Sequence, residues 1–338
     1  MTSRTLSSAS RFAQSLPKAE LHLHLEGSID PATLLELRDR HGRKGTLVEV
    51  EELYRYHDFT GFLMAFKAIT EDLKEPNDYE FITYRMMERL KAENVLHAEV
   101  YVSVGVCLFR NQDFEAIFEG LERGRERGER DFGISLVWIF DAVRHFGEEA
   151  ARKVAELAVR LKSEAVVGFG IGGDERRAAP ELFREIYEYA AREGLRLTAH
   201  AGETTGPDSI WGALNLKAER IGHGLSAWQD LELVEELATR QIPVEICLTS
   251  NLRTGCCAAL ADHPAKNYFD EGIMITLNTD DPGLFATSLS REYHLAQDAF
   301  GFTEEHLREI ARNSFEASFL SPEKKLQFLR LFDAAAAR

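Results

Sequence analysis

The fold class predicted by this 338-residue sequence is a (β/α)8 barrel, an eight-stranded α/β fold, and three observations predict it. Eight short apolar runs recur along the chain, helical patterns separate them, and polar residues able to do chemistry sit at the far ends of the runs. A strand followed by a helix, repeated eight times, closes as a barrel of parallel strands inside a ring of helices. An open, doubly wound sheet is the rival reading of the same alternation.

The first run is KAELHLHL (18–25), in which His22 and His24 project to one face while Leu21, Leu23 and Leu25 project to the other. Asp30 then caps PATLLELRDR, with Pro31 in its first turn. Residues 31 to 93 hold several helical patterns and read as a helical insertion over the barrel mouth after strand one. VLHAEVYV (95–102) leads to Ser103, ISLVWIF (134–140) is the third run, and AVVGFGIGG (165–173) ends on Gly173. LRLTAHAGE (195–203) carries His200 and Glu203, and ERIGHGL (219–225) carries His223. A helical DLELVEELATRQ precedes IPVEICLTS (242–250), and GIMITLNTDD (272–281) ends on Asp280 and Asp281. No linker, repeat or low-complexity tract divides the chain, so residues 17 to 335 read as a single domain. The serine-rich, basic start lacks the apolar core of a secretory signal and reads as a disordered leader over residues 1 to 16.

A net charge of -16 opposes approach to nucleic acid backbones and anionic membranes, and leaves a small molecule as the expected partner. No apolar run approaches a membrane span. Cys107, Cys247, Cys256 and Cys257 show no CxxC spacing, so neither a disulfide framework nor a cysteine metal site is expected, and a reducing cytoplasm fits. Oligomeric state is not legible.

Barrels of this kind carry their active sites at the C-terminal ends of the strands, which nominates His22, His24, Ser103, Gly173, His200, Glu203, His223, Asp280 and Asp281. Two imidazoles side by side repel when charged and need partners when neutral. A zinc ion resolves both problems, and His22, His24, His200 and Asp280 would all point at the barrel axis around it. An isolated HxH reads equally as a pair of core or rim histidines; HAGE and NTDDP at two other strand ends are what tip it towards a metal. His41, His57, His145, His263 and His306 fall in helix or loop patterns, where a surface position is expected.

ELHLHLEGS, HAGE, IGHG and NTDDP, in that order across strands one, five, six and eight, resemble the adenosine deaminase family. CLTSNLRTG and DFTGFLMAFKAIT resemble that family's strand-seven segment and its helix over the pocket, so the resemblance spans almost the whole chain. It implies hydrolytic deamination of a 6-aminopurine, with release of ammonia, on one zinc ion per chain held by His22, His24, His200 and Asp280. It further implies that Glu203, His223 and Asp281 act on substrate and water and that Gly173 offers its amide to the purine.

Residue chemistry supports these roles. Addition to a purine ring costs aromaticity, so a proton must reach N1 as oxygen reaches C6, and Glu203 is the natural donor. His223, between two glycines that clear space around its ring, can orient the water or take its proton. Asp280 and Asp281 can aim at different targets, one at metal and one at a ring nitrogen. GFGIGG matches GxGxxG formally, but Asp174 and Glu175 follow where a pyrophosphate would need positive character. The same strand lacks a terminal lysine able to bridge two metals, which favours a mononuclear site. Glu26 departs from the adenosine pattern, where an aspartate meets the ribose, and resembles the adenine and aminodeoxyfutalosine deaminases, whereas TSNLRTG resembles the nucleoside enzymes. A 9-substituted adenine, adenosine or aminodeoxyfutalosine, is therefore expected ahead of free adenine, with Glu26 and Ser103 on the substrate side. A catalytically dead barrel serving as a ligand-binding protein is the alternative of another class; it predicts a lost ligand or proton donor, and none is lost.

Overall fold

The computed structural model describes residues 8–336. Eight parallel strands pair in sequence order: β1 (Lys18–His24), β2 (Val95–Val102), β3 (Ser135–Val143), β4 (Val166–Gly172), β5 (Arg196–Ala201), β6 (Arg220–His223), β7 (Val244–Ile246) and β8 (Ile275–Leu277). Past the end of β8 the chain returns to β1: the amide of His24 donates to the Asp280 carbonyl at 2.8 Å, and that of Asp280 to the His22 carbonyl at 3.0 Å. The sheet is thus a (β/α)8 barrel, as its alternation of apolar runs predicts.

The residues between strands explain the ring of helices. Apolar positions at helical spacing bury Ala151, Val154, Ala155 and Ala158 from one helix (Glu148–Arg160) and Leu233, Val234 and Leu237 from another (Leu231–Arg240). Between β1 and β2 lie helices Pro31–Arg40, Leu47–Glu51, Phe59–Thr70 and Pro76–Ala92. The insertion reaches the mouth: Tyr56 donates to the Leu284 carbonyl at 2.9 Å, and Phe62 stacks on Phe285 at 5.1 Å, both just beyond Asp281. Pro76–Ala92 instead packs against helix Phe114–Phe132, so closely that a Cβ on Gly120 would stand 2.0 Å from the Pro76 carbonyl oxygen.

Three expectations need correcting. Residues 1–7 of the expected leader lie outside the described residues, but Ser8–Ser15 is a helix, because Ala13 and Leu16 bury against the barrel and a disordered chain would leave them in water. The seventh run is strand only over Val244–Ile246; a short helix, Leu248–Arg253, takes over its end. That turn lets Thr249, Ser250 and Asn251 reach Glu292, Asp280 and His223, which no extended strand would allow. Similarly, Ile275–Leu277 ends well before Asp280, which adopts φ +63°, a left-handed conformation rare for a residue with a Cβ.

The lower barrel interior is charged. The Arg220 guanidinium donates to Glu245 at 2.6 Å and to Glu99 at 2.5 Å, and lies 3.7 Å over the ring of Phe319, which comes from the connection between the last two helices, Glu304–Glu316 and Pro322–Ala336. No helix among the described residues is long and apolar enough to cross a membrane.

Candidate active site

His22 and His24 enter the barrel from β1, His200 from β5 and His223 from the end of β6, while Asp280 and Asp281 follow β8. The ring of His22 lies 4.5 Å from that of His200 and 4.9 Å from that of His223. Gly222 permits this: a Cβ there would stand 2.8 Å from Cε1 of His22. The first glycine of GHG therefore makes room for His22 rather than for His223. Both His223 and Asp280 hold positive φ, +64° and +63°, strain that persists where surrounding structure over-determines it.

Hydrogen bonds orient the imidazoles. His22 Nδ1 meets Glu245 at 2.8 Å, and His200 Nδ1 meets the Ile171 carbonyl at 3.1 Å. Those partners accept, so each Nδ1 carries the proton and each Nε2 presents a lone pair inward. Nε2 of His22 is buried without a hydrogen-bond partner, and Nε2 of His24 lies only 3.1 Å from that of His200. Asp280 gives Oδ2 to the Ser250 hydroxyl at 2.7 Å and directs Oδ1 at Nε2 of both His22 and His24, 3.4 Å from each. Crowded lone pairs around a buried carboxylate call for a cation. A proton on Nε2 of His22 can stand in for that cation: burial opposes charge on His22, yet its bonds to Asp280 and Glu245 outweigh burial and lift it to about 10. Burial drives His24 down to about 4.

His22, His200, His223 and Asp280 form a buried cluster, their ligating atoms all within 4.8 Å of one another. His24 touches that cluster through His200 and Asp280, so five side chains rather than the expected four surround the point where an ion would sit.

Glu203 is held almost out of water, and burial, with Asp280 and Glu175 nearby, raises its carboxyl well above the usual range. Its Oε2 is 3.8 Å from Nε2 of His223. Asp281 is raised likewise by burial and by Asp280, and its Oδ1 is buried without a partner. Gly27 makes this placement feasible, since any Cβ there would collide with the Asp281 carboxyl. Glu26, in the turn Glu26–Ser28 that follows β1, accepts from the Ser103 amide at 3.0 Å and its hydroxyl at 3.2 Å. Burial nevertheless raises Glu26 to about 7. Gly173 takes φ +88° at the end of β4, beside a half-buried His145.

Several residues of the site escaped sequence reading. Glu175, two positions past the GxGxxG-like stretch, accepts from the amides of Gly202, Glu203 and Thr204, each at 2.8 Å, and so fixes the turn that carries Glu203. Asp141 from β3 is buried beneath the imidazoles, and burial raises it to about 8. His263, expected at the surface, is buried because its ring bridges Asn251 and the Ala265 amide. Cys256 places its sulfur 3.8 Å from Oε1 of Glu203. Glu245, like Glu20 and Glu99, is an acid inside an apolar run, a type and position that signal an interior role.

Comparison with known proteins follows this geometry. An aminodeoxyfutalosine deaminase from Streptomyces avermitilis is 37% identical over 332 residues, covering 96% of this chain and 93% of that protein. The structure of an adenine deaminase from Arthrobacter aurescens superposes with a TM-score of 0.91 at 30% identity, covering 96% of this chain and 100% of that one. An amidohydrolase from Burkholderia ambifaria, solved with bound zinc, superposes with a TM-score of 0.90 at 28% identity, covering 99% of this chain and 96% of that one. The family description "Adenosine deaminase" matches residues 17–335, and the chain belongs to the adenosine deaminase family of hydrolytic deaminases.

Proposed function

We propose that this chain is a zinc-dependent hydrolytic deaminase of a 6-aminopurine substituted at N9, of the adenosine or aminodeoxyfutalosine kind. The observation that carries the deaminase reading is the meeting of inward lone pairs on His22 and His200 with the Asp280 carboxylate, beside a Glu203 carboxyl that keeps its proton. His22, His24, His200 and Asp280 would hold one zinc ion, a donor set of nitrogens and carboxylate that suits it. When bound, the ion lowers the pKa of water to about 7 and so supplies the nucleophile at neutral pH.

The chain's own residues do the rest. Glu203, protonated in its dry position, gives its proton to purine N1 as oxygen bonds to C6. It then takes the hydroxyl proton and delivers it to the amino group, so that the C6–N bond breaks, ammonia leaves and the 6-oxopurine remains. The proton that the next water loses returns to Glu203, so the acid is restored, water is consumed and no other reactant is needed. Asp281, also holding its proton, donates to a ring nitrogen and orients the purine face. Gly173 offers its amide to the ring edge. Glu26, rooted on Ser103 and close beyond His24, meets the group on N9.

Free adenine is the second reading, favoured by the superposition on the Arthrobacter aurescens adenine deaminase. One set of assays separates them: adenine, adenosine, 5′-modified adenosines and aminodeoxyfutalosine, each with zinc-loaded protein. We expect the highest kcat/KM on a 9-substituted adenine; a higher value on adenine itself overturns that choice. Metal analysis of the same active sample should give one zinc per chain. His200→Ala should lose metal and turnover together, since ligand loss removes both.

A further inference from the structure

The backbone N–H of Ala265 points at Nδ1 of His263, 3.2 Å away. A peptide N–H only donates, so Nδ1 accepts, and a neutral His263 carries its proton on Nε2. Nε2 of His263 lies 3.1 Å from Oδ1 of Asn251, and that contact therefore runs from ring to amide oxygen. The Asn251 NH2 group then faces Nδ1 of His223 at 3.2 Å, and it too only donates. Reversing the amide would set its NH2 against the N–H of His263, donor against donor. Each contact is oriented by the one before, starting from a proton that the peptide fixes. Burial keeps the His263 ring neutral, lowering it to about 4.

We propose that His263 and Asn251 are positioning residues that lock His223 in its Nε2–H tautomer, making it a hydrogen-bond donor to the attacking oxygen and neither the base nor a metal ligand. Nε2 of His223 lies 3.9 Å from Oδ2 of the Asp280 carboxylate, an acceptor that suits an N–H and not a lone pair. The relay also separates His223 from His22 and His200, whose Nδ1 protons leave Nε2 free. Five side chains crowd the cluster, and the relay removes His223 from the ligand set, leaving His24 as the third imidazole. A donor held at this point orients the oxygen so that a remaining lone pair faces the ring carbon, which is a positional gain rather than a proton transfer.

The role in catalysis rests on the deaminase reading; the tautomer does not. The test is nitrogen-15 NMR of histidine-labelled protein, metal-free and zinc-loaded, with His223 assigned from the signals lost in His223→Gln. Nδ1 should resonate as a lone-pair nitrogen and Nε2 as an N–H. Asn251→Asp should exchange the two, because a carboxylate oxygen only accepts, and kcat should fall by about 10²-fold or more with KM nearly unchanged. Should Asn251→Asp fail to fold, a second pair decides. His263→Gln still offers an N–H to Asn251 and should keep the tautomer and most of kcat, whereas His263→Ala should lose both. The opposite tautomer in the parent overturns the relay and leaves the deaminase reading standing. An exchanged tautomer with kcat intact overturns the donor role. Failure to deaminate any 6-aminopurine sinks the deaminase reading, while the NMR result still decides the relay.

Discussion

The protonation of Glu203 depends on single atoms around it. Burial, Asp280 and Glu175 all push its carboxyl up, so the acid form survives at neutral pH, and the hydrogen-bonding partner found at Oε1 is the sulfur of Cys256 at 3.8 Å. A thiol is a weak donor and stabilises the carboxylate little. A hydroxyl at the same position donates more strongly and would favour the ionised form. Cys256→Ser should therefore lower the Glu203 pKa and move the alkaline limb of the kcat profile to lower pH, by about one unit. Cys256→Ala, which removes the donor, should not move the limb downward. A limb that stays put in the serine variant would mean that the thiol has no hold on the acid. Glu203→Gln should bind zinc normally and lose at least about 10² in kcat, because the amide keeps the shape but has no proton to give.

Elements are tied into the site by contacts that cross the barrel mouth. The turn after β4 carries Glu175, whose carboxylate gathers three amides of the turn after β5 together with the hydroxyls of Thr205 and Ser209. Burial opposes the charge, but those hydrogen bonds hold Glu175 below the usual carboxylate range. Glu175→Gln would set an NH2 against a cluster of donors, costing about 2 to 4 kcal/mol of stability. It should also displace Glu203 enough to cut kcat by more than about tenfold, with zinc content unchanged. Urea unfolding and turnover of this variant check both, and a kcat equal to the parent's would show that the turn holds without its anchor. This contact marks where sequence stops being informative. The alternation in β1 is local, so it displays His22 and His24 on one face and places the strand start at Lys18. The acceptance of three amides by Glu175 is long-range and leaves no period. The same holds for His263, whose loop pattern says surface while Asn251 holds it inside. The apolar run of strand seven hid a helix because its Thr249, Ser250 and Asn251 turn towards partners on other elements. Nothing in NTDDP or IGHG announces the left-handed backbone at Asp280 and His223.

At the scale of the whole molecule, the barrel interior is filled with ionisable groups instead of the branched aliphatic layers common in such folds. Their titration makes stability depend on pH in two opposed ways. Burial works against the charge of Glu99, but Arg220 and His97 outweigh it and hold the carboxyl at about 2. Its contribution is therefore complete above the ordinary carboxylate value near 4.5 and is lost as pH falls towards 2. Glu20 is the reverse case. Burial raises it from 4.5 to about 7, although it accepts from the Thr279 amide at 3.0 Å and from the Thr279 hydroxyl. The folded state then binds a proton that the unfolded chain has released, so its contribution is complete below 4.5 and is lost as pH rises through 7. Glu99 is already ionised in both states across that window, where the raised acids are opposed by buried histidines such as His24, His223 and His263, lowered to about 4, whose contribution grows as pH rises to 6.5. Glu20→Gln keeps the acceptor for Thr279 and removes the titration. Unfolding free energies of parent and variant, measured from pH 4.5 to 8 on protein stripped of metal so that zinc affinity adds no pH dependence of its own, should diverge in favour of the variant by up to about 3 kcal/mol. Glu26, raised to about 7, Asp141, raised to about 8, and the buried histidines titrate alike in both proteins, so they cancel in the difference between the two curves. Two parallel curves would show that Glu20 is ionised in the fold at pH 4.5 and above, and that the carboxylate finds enough partners in the barrel floor to offset its burial.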